Sequence, residues 1–127
     1  MAGEQILVIE DNEKNMKLFR DVLEATGYRT LEGTRGEDAV EIAASHAPSL
    51  VLMDIQLPGI DGVEALRRLR ADPRTTAIPV LALTAQSMHG DADRFLAAGF
   101  DGYVSKPVNV TELLAVVQNH CEAGPAR

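Results

Sequence analysis

Five strand-like runs, most of them short and apolar throughout, alternate along this chain with stretches whose apolar residues recur at a helical period. No other feature limits the fold as strongly, because strands joined through helices pair in parallel. "ILVI" (Ile6 to Ile9), "SLVLMD" (Ser49 to Asp54) and "PVLALT" (Pro79 to Thr84) read as strands buried on both faces. "YRTLE" is more polar and suits a sheet edge, and "GYVS" is a brief last strand. Between them, "NEKNMKLFRDVLEATG" places Met16, Phe19, Val22 and Leu23 on one helical stripe, with Gly27 at a C-cap position. "GEDAVEIAASH" is a short helix with an alanine-rich face, stopped before Pro48, and "GVEALRRLRA" ends before Asp72-Pro73. "GDADRFLAAG" is a poorly patterned helix between two glycines. "NVTELLAVVQNHC" is a clear helix with Val110, Leu113, Leu114 and Val117 on one side.

A parallel sheet covered by helices on both faces follows, and right-handed crossovers restrict it to an α/β doubly wound sandwich. In such a sheet ligands gather beyond the carboxyl ends of the strands, where strand order reverses. Strand one ends on Glu10 and Asp11, strand three on Asp54, strand four on Thr84 and Ala85, and strand five on Ser105 and Lys106. Three acids, a hydroxyl and an amine therefore fall on one rim. Singly, each has an ordinary role. An acid after a strand is most often a turn or cap residue, Glu10-Asp11-Asn12 suits a helix N-terminus, Lys106 a surface charge and Thr84 a strand position. Their convergence is what those roles leave unexplained.

Carboxylates brought together repel, and burial raises their pKa. A hard divalent cation removes the conflict: Mg²⁺ takes oxygen ligands, typically one or two carboxylates with waters and a phosphate oxygen. Mn²⁺ shares that preference and serves as a substitute. Glu10, Asp11 and Asp54 supply this chemistry, while Lys106 and Thr84 add an ammonium and a hydroxyl for phosphoryl oxygens. Asp54 is the candidate acceptor, since carboxylates act as nucleophiles and form aspartyl phosphates.

"LVIEDNEKN", "LVLMDIQLPGIDG", "LALTA" and "GYVSKP" together resemble the receiver domains of bacterial two-component signalling, from Ile6 to about Cys121. "EDNEKNMKLF" is similar to the stand-alone DivK-type regulators of bacterial cell-cycle signalling and to receivers attached to hybrid histidine kinases. The resemblance implies a flavodoxin-like (βα)5 fold with strand order 2-1-3-4-5. It implies that Asp54 is phosphorylated by a histidine kinase or phosphotransfer protein. Glu10, Asp11, Asp54 and the backbone carbonyl of Gln56 would hold Mg²⁺, and Lys106 and the backbone N–H of Ala85 would meet the phosphoryl group. Thr84 would be the switch hydroxyl and Tyr103 the switch aromatic, turning inward as Thr84 swings toward the phosphate. The face built from the fourth helix, fifth strand and fifth helix would then change shape for a downstream effector, as a monomer or as a dimer formed on phosphorylation. Gln56 and Gln86 would flank the path of attacking water, and the bond before Pro107 would be cis. The first acid is Glu10 where many members have Asp, and its longer side chain suits binding through water.

The chain of 127 residues reads as one domain with a core over about 5–121 and no output domain. A formal charge of −7 opposes binding of nucleic acid or an anionic membrane surface. No apolar run is long enough to span a bilayer, and "MAGEQILVIE" lacks the features of a secretory signal, which points to the cytoplasm. The single Cys121 reads as a small hydrophobe near a helix end. His46, His89 and His120 lack metal-ligand spacing and resemble no phosphodonor site. A haloacid-dehalogenase-type phosphatase would want a second Asp where Gln56 stands, and an FMN carrier a hydroxyl-rich first loop where Glu10 and Asp11 stand. A receiver-like binding module that never takes phosphate is the third rival. The expected function is a phosphoryl-carrying regulator that acts by protein contact and is no enzyme toward an external substrate, though it assists its own phosphorylation and dephosphorylation.

Overall fold

The computed structural model describes residues 4–84, 91–106 and 108–122. In chain order the elements are β1 (Gln5–Ile9), α1 (Glu13–Ala25), β2 (Arg29–Gly33), a 3-10 turn (Gly36–Asp38), α2 (Ala39–His46), β3 (Leu50–Asp54), α3 (Gly62–Ala71), β4 (Val80–Thr84), α4 (Asp91–Ala98), β5 (Gly102–Ser105) and α5 (Val110–Glu122). The five strands form one parallel sheet in the order β2-β1-β3-β4-β5, as the resemblance implies. The polar "YRTLE" run stands at the edge, and strand order reverses between β1 and β3, where the acids lie.

Strand side chains alternate between two apolar layers. Ile6, Val8, Leu50, Leu52, Leu81, Leu83 and Val104 face α1 and α5, meeting Phe19, Leu23, Leu113 and Val117. Leu7, Ile9, Val51, Met53, Val80 and Ala82 face α2, α3 and α4, meeting Ala43, Leu66, Leu69 and Phe95. Every residue of β3 and β4 is buried, which is why those runs are apolar without interruption.

Helix boundaries follow local chemistry. Asn12 caps α1, its side chain accepting from the Lys14 N–H at 2.9 Å and the Asn15 N–H at 3.1 Å. The helix ends in a Schellman turn: Gly27, at φ 103°, donates to Glu24 O, and Tyr28 to Leu23 O. Asp61 caps α3 through the Glu64 N–H at 2.9 Å. Two expectations need correction. "GEDAVEIAASH" is not one helix, because Gly36 is pressed against Ile60 and Ala65 and the first turn tightens to 3-10 before α2 begins at Ala39. On α5 the buried stripe is Leu113, Val117 and Cys121, whereas Val110 opens the helix and is 42% exposed. Cys121 is buried in the core, consistent with a small hydrophobe.

Candidate active site

The alternation that builds the two layers also aims the site. Asp54 ends β3 with the parity of Leu50 and Leu52, so it points to the α1–α5 side; Glu10, just past β1, follows Ile6 and Val8 to the same side. The α3 N-terminus closes tightly beneath: Gly62 N–H donates to Ile55 O at 3.0 Å, and a β-carbon on Gly62 would run into the Asp54 carbonyl. Glycine is required there for the close approach.

Both acids are shielded. Glu10 is 1% exposed, and the Asp54 side chain 6%. Lys106, beyond β5, places its Nζ 2.9 Å from Asp54 Oδ2 and 2.9 Å from Glu10 Oε1. The Gln56 N–H donates to Asp54 Oδ1 at 3.0 Å, and the Asn12 N–H to Glu10 Oε2 at 3.3 Å. Each Asp54 carboxylate oxygen thus already has a donor against it. Asp11 is exposed beside them, and carboxylate oxygens of Glu10, Asp11 and Asp54 lie within 4.8 Å of one another. Thr84, buried at the end of β4, accepts the Lys106 backbone N–H on its carbonyl at 2.7 Å, which locks the base of the lysine to the sheet.

Burial pushes the Glu10 carboxyl above its ordinary value, Lys106 pulls it back, and Asp54 adds to the rise. For Lys106 burial is the largest single influence and favours the neutral amine, but the Glu10 and Asp54 carboxylates together outweigh it and hold the ammonium above the usual lysine range. Three carboxylates share one ammonium, so two negative charges remain over. Glu10 Oε1 is buried, and its polar contact is the Lys106 ammonium at 2.9 Å. A cluster of hard oxygens with two surplus negative charges fits a divalent hard cation such as Mg²⁺.

The chain belongs to the response regulator receiver domain family. Residues 6–118 match that family. Over 115 residues the chain is 43% identical to the polar-differentiation response regulator DivK of Brucella anthropi, covering 91% of this chain and 94% of that protein. The receiver domain of the sensor histidine kinase PA1611 from Pseudomonas aeruginosa, solved with a magnesium ion coordinated in its active site cleft, superposes with a TM-score of 0.87 at 36% identity, covering 95% of this chain and 99% of that one. The signal receiver domain of a signal transduction histidine kinase from Syntrophus aciditrophicus gives a TM-score of 0.85 at 30% identity, covering 95% and 92%. The site is therefore that of a two-component receiver, and a histidine kinase is its partner in signalling.

Of the residues expected at this receiver's site, Glu10, Asp11, Asp54, Thr84 and Lys106 meet at the carboxyl edge of the sheet, with the Gln56 backbone beside Asp54. Tyr103, expected as the switch aromatic, pairs with Ala82 in the sheet register and is 37% exposed on β5. Ala85, Gln86, His89 and Pro107 lie outside the described residues. His46 Nδ1 lies 3.1 Å from Ile42 O and His120 Nδ1 2.9 Å from Val116 O, so both turn back onto their own helices. Sequence reasoning missed Glu37, whose carboxylate lies against Gly59 in the loop after Asp54. The one signal available was the Pro58-Gly59 pair, which marks a turn but names no partner. Among the described residues no helix is long and apolar enough to cross a membrane.

Proposed function

We propose that this receiver accepts a phosphoryl group on Asp54 from a histidine kinase or histidine phosphotransfer protein, in a Mg²⁺-dependent step, and signals by protein contact from the cytoplasm. The observation that carries this reading is the Lys106 ammonium, 2.9 Å from both Glu10 and Asp54 in a carboxylate cluster with charge to spare. Glu10, Asp11, Asp54 and the Gln56 carbonyl would hold Mg²⁺, with Mn²⁺ as a substitute, and the magnesium of the Pseudomonas receiver supports that assignment. When bound, the ion supplies positive charge for the phosphoryl oxygens.

An Asp54 carboxylate oxygen attacks phosphorus as the bond from phosphorus to the donor's imidazole nitrogen breaks. The nitrogen keeps the electron pair and takes a proton from water. Lys106 releases Asp54 Oδ2 and turns its ammonium to a phosphoryl oxygen, while the Thr84 hydroxyl and the Ala85 N–H take others. Gln56 and Gln86 flank the approach of the water that later hydrolyses the acyl phosphate. As Thr84 moves toward the phosphate, Tyr103 turns inward. Leu96, Tyr103 and Val110 expose apolar surface along α4, β5 and α5, which supports effector docking there. The domain works on its own carboxylate and turns over no external substrate. Its surplus of acids makes it unsuited to nucleic acid or to an anionic membrane.

Intact mass after incubation with acetyl phosphate tests the reading. One phosphoryl adduct that requires both Mg²⁺ and Asp54 is expected. It should be absent with EDTA and in Asp54→Ala, and absence from the wild type even with a cognate kinase would overturn the proposal in favour of a pure binding module.

A further inference from the structure

The loop between β3 and α3 is anchored at its two ends. Ile55 N–H donates to Leu83 O at 3.0 Å, and Gly62 N–H closes back on Ile55 O at 3.0 Å. Among the described residues, the backbone over 56–60 makes no bond to another backbone group. Its middle is held from outside, by the 3-10 turn. A β-carbon on Gly36 would approach Ile60 Cγ1 to 2.9 Å and Ile60 O to 3.2 Å, so the two backbones are in close contact. Gly59, at φ 76°, is left-handed, and the Glu37 carboxylate covers the side from which a β-carbon would project.

Glu37 Oε1 is buried without a hydrogen bond, and Oε2 lies 3.5 Å from an Arg35 guanidinium nitrogen. The carboxyl is held below the ordinary glutamate range, most by its own backbone N–H, against some burial, then by Arg35 and the Ile60 N–H. An ionised oxygen out of water is costly unless dipoles face it. The backbone it faces, at Gly59 and Ile60, belongs to the same short loop whose Gln56 N–H grips Asp54 Oδ1.

We propose that Glu37 is a positioning residue of the phosphorylation site: its carboxylate latches Gly59 and Ile60, keeps Gln56 in register against Asp54, and so sets Mg²⁺ affinity and the lifetime of the phosphoryl group. The lifetime part rests on the reading of Asp54 as acceptor, whereas the hold on Gln56 does not. The latch also explains why a surface carboxylate sits across a left-handed glycine instead of extending into water.

The test compares Glu37→Ala and Glu37→Gln with the wild-type chain in three measurements: the Gln56 amide resonance by ¹⁵N-correlated NMR, Mg²⁺ affinity by calorimetry, and decay of the acetyl-phosphate adduct by intact mass. In Glu37→Ala the Gln56 amide should shift, Mg²⁺ affinity should fall roughly 10-fold, the low end for outer partners of a metal site, and the adduct lifetime should change by a similar factor. Glu37→Gln, which keeps the shape and can still accept an N–H, should recover part of each effect, and it carries the test alone if Glu37→Ala does not fold. Shifts confined to residues 35–38 and 59–60, with Gln56 and Mg²⁺ affinity unmoved, would overturn the proposal and leave Glu37 as packing. If the wild type takes no phosphoryl group, the Asp54 reading fails separately, and the Gln56 resonance and the Mg²⁺ titration still decide the latch.

Discussion

Lys106→Met keeps about the same length of side chain and deletes the ammonium that stands 2.9 Å from Glu10 Oε1 and 2.9 Å from Asp54 Oδ2. Removing one partner of a buried ion pair costs about 3–5 kcal/mol. Lys106 itself is 18% exposed, and Glu10 can shed its charge by taking up a proton, so the loss expected at pH 7 without metal is about 2–3 kcal/mol. The pH dependence is sharper than the magnitude. Burial already raises the Glu10 pKa, Lys106 pulls it down and Asp54 pushes it up. An acid with a raised folded pKa binds its extra proton in the folded state, so its contribution to stability is greatest in acid. That contribution is lost as pH rises from the ordinary glutamate range, about 4.3, through the raised folded value. Without Lys106 the folded value rises further and the window widens. The deficit of the variant should therefore be larger at pH 7 than at pH 5. The chain has no tryptophan, so urea unfolding is followed by circular dichroism, in EDTA and with Mg²⁺. Mg²⁺ at ten times its Kd should return about 1.4 kcal/mol. Asp54→Asn removes one of the crowded charges while keeping Lys106 against Glu10, and should be at least as stable as the wild type in EDTA. A Lys106→Met protein within about 0.5 kcal/mol of wild type at pH 7, or a deficit that grows on acidification, would refute the reasoning.

Ala47 ends α2 at φ 49°, a left-handed conformation that costs an alanine roughly 1 kcal/mol. Ala47→Gly should stabilise the domain by about 0.5 kcal/mol after glycine's entropy is counted, read as a small upward shift in melting temperature. Gly62→Ala drives a methyl into the Asp54 carbonyl and to 2.9 Å from Ile55 Cα, both backbone and unable to yield. It should cost about 2–3 kcal/mol and slow phosphorylation, measured by urea titration and by adduct formation. The Arg70 guanidinium donates to Ile78 O at 2.6 Å, Gly99 O at 3.1 Å and Asp101 Oδ2 at 2.8 Å, joining the loops that precede β4 and β5. Arg70→Met should cost about 2 kcal/mol, with amide exchange accelerating first over 99–101.

The strands and most helix limits were legible because their causes are local: uninterrupted apolar runs, Asn12 and Asp61 as caps, Gly27 at the end of α1, Asp72-Pro73 after α3. The start of α2 was not, because the contact of Gly36 with Ile60 spans the chain and leaves no mark on the period of "GEDAVEIAASH". Val110 shares the spacing of Leu113 and Val117, but periodicity cannot say where a helix overhangs the layer it covers. The rim residues were legible from one rule about where ligands sit in such sheets. The depth of their burial was not, since Lys106 and Gln56 cover Asp54 through contacts that form only in three dimensions.

The period of two also assigns faces beyond what motif matching supplies. Asp54 and Glu10 carry the parity of the α1–α5 layer, whereas Thr84 carries that of Val80 and Ala82, on the side of α2, α3 and α4. Tyr103 lies opposite Ala82 and Ser105 opposite Thr84, so Tyr103 shares that second side. The acid cluster and the Thr84–Tyr103 pair therefore leave the sheet in opposite directions from adjacent strand ends. We predict that a change at the phosphoryl site reaches Tyr103 through Thr84 at the edge of the sheet, since the buried layer of Leu81, Leu83 and Val104 is closely packed against α5. Thr84→Val should then leave Mg²⁺ binding and adduct formation near wild type while removing the response of Tyr103. The assay is the Tyr103 ring resonance before and after acetyl phosphate. A ring that still responds in Thr84→Val would mean that the signal crosses the sheet by another route.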